Sequence, residues 1–151
     1  MSQLAPFLSL AGRWSASYVL QDPEHGLADN SASTATVTSM LSDRFVRIEY
    51  TWAYKGAPQE GSILIGCEPS GVVTAVWIDS FHNGRRMMVC TGSATDDGGI
   101  DVRGSYPAAP GPDWGWRTQL TPSTDAWTMT MFNVWPDGRE DLAVKARYER
   151  N

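Results

Sequence analysis

Turn-forming residues interrupt this chain at short, regular intervals, and that punctuation limits what it can become. Asn83-Gly84, Asp97-Gly98 and Asp137-Gly138 are dipeptides that accept positive φ at both central positions, as a two-residue type I′ hairpin turn requires. Ser42-Asp43, Gly56-Ala57-Pro58, Pro69-Ser70-Gly71 and Pro122-Ser123 mark further breaks. Breaks about 8–12 residues apart are the spacing of an all-β sandwich or barrel. The runs between them are rich in β-branched and aromatic residues. They predict strands over 13–20, 33–41, 44–54, 60–67, 72–81, 86–94, 100–106, 114–121, 126–135 and 140–149. No segment holds a helical period, save a short turn of helix within Ala5–Leu10 ahead of the first strand. Gln21–Asn30 and Pro107–Asp113 read as loops at an open barrel end.

Each turn fixes a register that can be checked against its neighbour. A two-residue turn at Asp137-Gly138 sets Asn133 opposite Leu142, Met131 opposite Val144, Met129 opposite Ala146 and Trp127 opposite Tyr148. Thr130 with Lys145 and Thr128 with Arg147 then form the polar face, with Phe132 and Ala143 as exceptions. Taking Ser123-Thr124 as the preceding turn places Leu120 beside Trp127, Thr118 beside Met129 and Trp116 beside Met131, which keeps the same face inside. Ser42-Asp43 sets Val37 opposite Ile48 and Ala35 opposite Tyr50. Asp97-Gly98 sets Ile100 beside Thr95 and Val102 beside Ser93. Asn83-Gly84 then groups Trp77, Asp79, Met88 and Cys90 on the other side. Both faces of 72–81 and 86–94 carry large apolar groups, so their inward side is left open.

About ten hairpin-joined strands with one apolar face would leave two exposed edges in an open sheet, and closure removes both. The expectation is an all-β, antiparallel up-and-down β-barrel forming a single domain over 1–151. Lys and Arg number 12 against 17 Asp and Glu, a net charge of −5, so no nucleic acid is expected as a partner. No apolar run is long enough to suggest a membrane partner. Residues 1–12 contain no Lys or Arg, as an export signal would. The expected location is therefore cytoplasmic, with Cys67 and Cys90 as free thiols.

A barrel of this size is wide enough to hold a small ligand. The candidate lining is Tyr18, Tyr50, Trp52, Trp116, Trp127, Met129, Met131 and Tyr148, with Asn133 a rare polar member. Aromatic and Met side chains at period two also fill β cores, so the stripe fits a packed closed end and a hollow open end alike. Asp79, Ser80 and His82 lie close in sequence, but alternate strand residues face opposite ways, which separates Asp79 from Ser80. No G-x-S-x-G elbow accompanies them. Asp79 is better read as a buried or capping acceptor, and with His82 as a group that orients a polar ligand head at the mouth. His25, His82, Cys67 and Cys90 are too scattered for a metal site, and no cofactor is expected. Arg117 falls on the polar face, which argues against a clamp for a fatty-acid carboxylate. An aromatic Trp114-Gly115-Trp116 run follows the second loop and sits at the rim.

Leu8, Leu10, Gly12 and Trp14 form an L-x-L-x-G-x-W opening that resembles the lipocalin signature, and Arg150 matches the late Arg that packs over that Trp in lipocalins. Together with Ile63-Leu64-Ile65-Gly66-Cys67, Trp77-Ile78-Asp79-Ser80 and Tyr148-Glu149-Arg150, the chain looks like a bacterial family of uncharacterised lipocalin-like (calycin) proteins. The resemblance spans nearly the whole chain and implies a lipocalin-like barrel with a ligand cavity, without an activity. The haem-binding nitrobindin type ends in a similar strand but needs a late proximal His, and Leu142–Asn151 contains none. The expected function is binding of a small apolar or amphiphilic molecule. The alternatives are a cyclase- or isomerase-type barrel enzyme using Asp79, Asn133 or Tyr148, and a homodimer formed through the Trp77 face.

Overall fold

A computed structural model describes residues 3–151. A single helical turn, α1 (Ala5–Leu8), precedes ten strands: β1 (Gly12–Asp22), β2 (Leu27–Met40), β3 (Phe45–Tyr54), β4 (Ala57–Cys67), β5 (Val72–Asp79), β6 (Met88–Ala94), β7 (Ile100–Tyr106), β8 (Trp114–Ser123), β9 (Ala126–Val134) and β10 (Glu140–Arg150). Each strand pairs antiparallel with its chain neighbours, and β1 pairs with β10, so an up-and-down barrel closes with no free edge. The loop expected over 21–30 is mostly strand. β1 and β2 stay paired as far as Asp22 with Leu27, leaving only Pro23–Gly26 as the turn.

The β9–β10 ladder places Trp127 opposite Tyr148, Met129 opposite Ala146 and Met131 opposite Val144, as the turn positions predict. The route to that register differs from a two-residue turn. Trp135 N–H donates to the Arg139 carbonyl at 2.8 Å and Gly138 N–H returns to the Trp135 carbonyl at 2.9 Å, which makes a three-residue loop with Gly138 at φ 94°. That loop pairs Asn133 with Asp141 instead of Leu142. A bulge between Leu142 and Val144 then absorbs one residue and restores the expected pairs. Both exceptions to the face pattern now have causes. Ala143 is the bulge residue, and Phe132 lies under the Arg117 guanidinium, 5.6 Å from the ring centroid.

At Asp97-Gly98 the same loop geometry occurs without a compensating bulge. Thr95 N–H donates to the Gly99 carbonyl at 2.9 Å, with Gly98 at φ 83°. Ile100 therefore pairs with Ala94 and Val102 with Gly92, not with Thr95 and Ser93. A slip of one residue exchanges the faces, so Ile100 and Val102 join Met88 and Cys90 inside, all of them buried. Trp77 pairs with Met88 and is 2 % exposed, so it belongs to the interior and offers no dimer face. The large apolar side chains exposed on the outer wall of β5 and β6 are Val72, Ile78 and Val89. Between β8 and β9 the turn falls one residue later than Ser123-Thr124. Leu120 thus faces Met129, Thr118 faces Met131 and Trp116 faces Asn133. That offset of two residues leaves the faces unchanged. The β2–β3 pairs Val37–Ile48 and Ala35–Tyr50 are as expected.

One end of the barrel is plugged by aromatic packing. Leu4, Phe7 and Leu10, in and around α1, are buried across it. Trp14 Nε1 donates to the Leu10 carbonyl at 2.8 Å, and its ring meets Trp127 edge-on at 6.5 Å. Trp127 in turn stacks on Tyr148 at 4.2 Å. The Arg150 guanidinium lies 4.1 Å from the Trp14 ring and donates to the Ala11 carbonyl at 3.2 Å. No helix among the described residues is long and apolar enough to cross a membrane. Trp127→Ala should cost about 3–5 kcal/mol in denaturant unfolding, because the cavity it leaves is sealed by the plug. Arg150→Ala should cost only about 1 kcal/mol by the same measurement, since its cation–π and hydrogen-bond contacts are at the surface.

Candidate functional site

The opposite end is built around a buried carboxylate. Asp79 is the last residue of β5 and points inward, across from Gly61 of β4, which also pairs with Tyr50 of β3. A Cβ on Gly61 would lie 2.3 Å from the Tyr50 phenol, so the bare glycine is what lets that ring cross to Asp79. Asp79 Oδ2 accepts from the Tyr50 hydroxyl at 2.7 Å and from Trp52 Nε1 at 3.2 Å. Oδ1 accepts from the backbone N–H groups of Phe81 and His82, both at 2.9 Å, and lies 3.2 Å from His82 Nδ1. The Tyr50 oxygen accepts in its turn from Trp77 Nε1 at 2.8 Å. Burial alone would raise the Asp79 carboxyl, but hydrogen bonds from the His82 side chain, its charge and its backbone, together with Tyr50, outweigh it and hold the group below its ordinary value. Burial, followed by the nearby Asp79 charge, raises the Tyr50 and Tyr18 hydroxyls, so both stay protonated and Tyr50 serves as a donor to Asp79.

Asp79 also folds the loop that follows it. Its carboxylate ties down the N–H groups of Phe81 and His82, while its carbonyl accepts from Asn83 N–H at 3.0 Å. The His82 side chain, only 12 % exposed, is held among the rings of Trp52, Trp77, Trp116 and Phe81 at centroid distances of 5.7, 5.5, 5.2 and 5.1 Å. Ser80 points to the outer side, where its hydroxyl donates to Gln59 and accepts from Glu60 N–H.

Above this network a half-open cleft of 840 Å³ occupies the barrel mouth. Its apolar wall is the Trp77–Trp116 stack, with rings 5.0 Å apart, together with Phe81, Met88 and Trp114. Its polar members include His82, Arg86 and Asn133. The Asn133 carboxamide oxygen is taken by the Tyr106 hydroxyl. Trp116 Nε1 is buried without a protein acceptor among the described residues. Asp22, Glu24 and His25 gather at the rim with ligand atoms within 4.8 Å of one another. Glu24 and His25 are exposed, and His25 is already bonded to Asp22 at 2.9 Å, so the cluster is not an enclosed metal site.

The structure divides the ten candidate residues into three groups. Trp116 and Asn133 line the cleft. Tyr50, Trp52 and Asp79 form the hydrogen-bonded floor, with Tyr18 stacked on Trp52 at 4.5 Å. Trp127, Met129, Met131 and Tyr148 are 0 % exposed in the barrel interior and do not line the cleft, so the hollow expected along that stripe is filled by rings packed on one another. Tyr148 ends on Ser33, 2.8 Å away. Trp77 and Met88 were missed as site residues because their inward face depended on the loop at Asp97-Gly98. Phe81, Arg86 and Tyr106 were missed because a loop and a strand end carry no period to orient them.

Asp79→Asn puts an amide donor against other donors and should cost about 3–5 kcal/mol at neutral pH. A carboxyl depressed in the folded state contributes stability present above its unfolded pKa, about 3.9, and lost as pH falls through the folded value. The gap between wild type and Asp79→Asn in urea unfolding should therefore narrow below about pH 4. Gly61→Ala, which drives a methyl into the Tyr50 ring, should cost about 1–3 kcal/mol and reduce the burial of Trp77 seen in fluorescence.

Comparison with known proteins agrees with this architecture. The crystal structure of Rv2717c from M. tuberculosis superimposes with a TM-score of 0.64 at 15 % identity, covering 100 % of this chain and 98 % of that one, a likeness of fold. Comparison with curated proteins finds no match. Residues 5–150 match a family described as a protein of unknown function, DUF1579, and with nearly its whole length covered the chain belongs to that family.

Proposed function

We propose that this protein binds a small, flat, apolar or amphiphilic molecule in the cleft at the open end of its barrel. The observation that carries this reading is an 840 Å³ cleft walled by stacked Trp77 and Trp116 and floored by an imidazole that a buried carboxylate orients. A volume within about 300–1,000 Å³, a predominantly apolar and aromatic lining and a few fixed polar groups are the usual features of a small-molecule site. Arg117 supports a ligand without a long-chain carboxylate clamp, because it is held on the outer wall by Asp101 and Glu140. The Gly12-Arg13-Trp14 opening, with Arg150 over Trp14, supports a lipocalin-like relationship in which the plugged end is structural and the other end is the site.

Protein purified from its own host should show a bound small molecule in native mass spectrometry. Ala108→Trp, which sets an indole into the mouth, should lose that mass while melting at the wild-type temperature. A wild-type protein free of any bound mass, and whose tryptophan fluorescence is unmoved by a panel of flat aromatic compounds, would overturn the reading.

A further inference from the structure

The cleft contains one polar group whose orientation is dictated from below. His82 Nδ1 faces Asp79 Oδ1 at 3.2 Å, and that carboxylate, with 0 % of its side chain exposed, can only accept. Nδ1 must therefore carry its proton, so in the neutral form of the ring the lone pair is at Nε2. Nε2 is on the far side of the ring from Asp79, His82 lines the cleft, and no described residue bonds to Nε2. Packing among Trp52, Trp77, Trp116 and Phe81 prevents the ring from turning to another partner. Asp79 already receives Tyr50, Trp52 and two backbone N–H groups, so its position survives a change of charge on the imidazole.

Building on the proposed binding site, we infer that its ligands are planar aromatic or conjugated molecules bearing a weakly acidic hydroxyl, a phenol or an enol, whose proton is shared with His82 Nε2. The flat part of such a molecule lies against Trp77 and Trp116. As the hydroxyl proton moves towards the imidazole, positive charge develops on the ring and Asp79 faces it directly. A methyl ether of the same shape keeps the stacking and loses the shared proton. A carboxylate makes a different demand, an imidazolium already formed.

The experiment titrates wild-type protein with 2-naphthol, 2-methoxynaphthalene and 2-naphthoate, following tryptophan fluorescence and heat. 2-Naphthol should bind roughly tenfold or more tightly than its methyl ether, the usual worth of a hydrogen bond to a charge-compensated group. His82→Phe keeps a ring in the aromatic cluster and should bring the two compounds to equal affinity. His82→Leu, judged folded by its melting curve, should do the same if the phenylalanine variant fails to fold. Equal binding of naphthol and ether to wild type would overturn the inference and leave the aromatic binding site standing. Preference for 2-naphthoate would also overturn it, in favour of a preformed imidazolium. Binding of none of the three would overturn this inference and the proposed function for aromatic ligands together.

Discussion

Burying an isolated carboxylate costs several kcal/mol even after the protein relaxes, so Asp79 is tolerable inside an aromatic barrel only if each oxygen is met by donors. Here the donors come from two separate parts of the chain: Tyr50 and Trp52 on β3, and the loop after β5, which supplies the Phe81 and His82 backbone N–H groups and the His82 ring. The requirement explains features that otherwise look unrelated. Gly61 is bare so that Tyr50 can pass. The 80–83 loop curls inward because its N–H groups are drawn to Oδ1. Trp77 is locked by its bond to the Tyr50 oxygen, and the wall of the cleft is fixed with it. His82 is held in one tautomer, which turns a structural network into a chemically directional one.

The two ends of the barrel use the same kinds of side chain for different ends. At the plugged end, rings meet rings and the cap comes from α1 and Arg150, with Trp14 and Trp127 both fully buried. At the open end, rings meet a carboxylate and an imidazole, and the loops stand apart far enough to leave a cleft. Aromatic content alone therefore says little about where a ligand sits. What separates the ends is a charge: a buried carboxylate imposes fixed distances and directions, whereas apolar packing collapses until no space is left.

Much of the architecture was legible before any coordinates, for a local reason. Turn residues state where strands end, and alternation states which side is wet, so ten strands and the interior stripe from Trp127 to Met131 could be read from neighbours in sequence. Two of the misreadings arose where a loop held one residue more than a dipeptide suggests. In the β9–β10 hairpin the error cancelled, since the bulge at Ala143 offset the longer loop at Gly138. In the β6–β7 hairpin nothing cancelled it, and Ile100 and Val102 exchanged faces with respect to the expected pairing. Both loops carry Asp-Gly, so the dipeptide cannot distinguish them. The difference lies in the partner strand, at a distance from the turn.

The amino-acid sequence by itself determined the strand count, the antiparallel meander and the apolar stripe that must be enclosed, because each rests on contacts between residues adjacent in the chain or across one turn. It also marked Asp79 and His82 as a pair near the mouth. Only the tertiary structure decided that the stripe is packed solid, that Trp77 faces inward, and that the open space lies above His82. Those outcomes depend on the closing pairs of β1 with β10 and on donors that β3 brings to Asp79, and such distances are set by the barrel as a whole. No local pattern encodes them, since the same alternation of large and small residues suits a filled barrel and a hollow one.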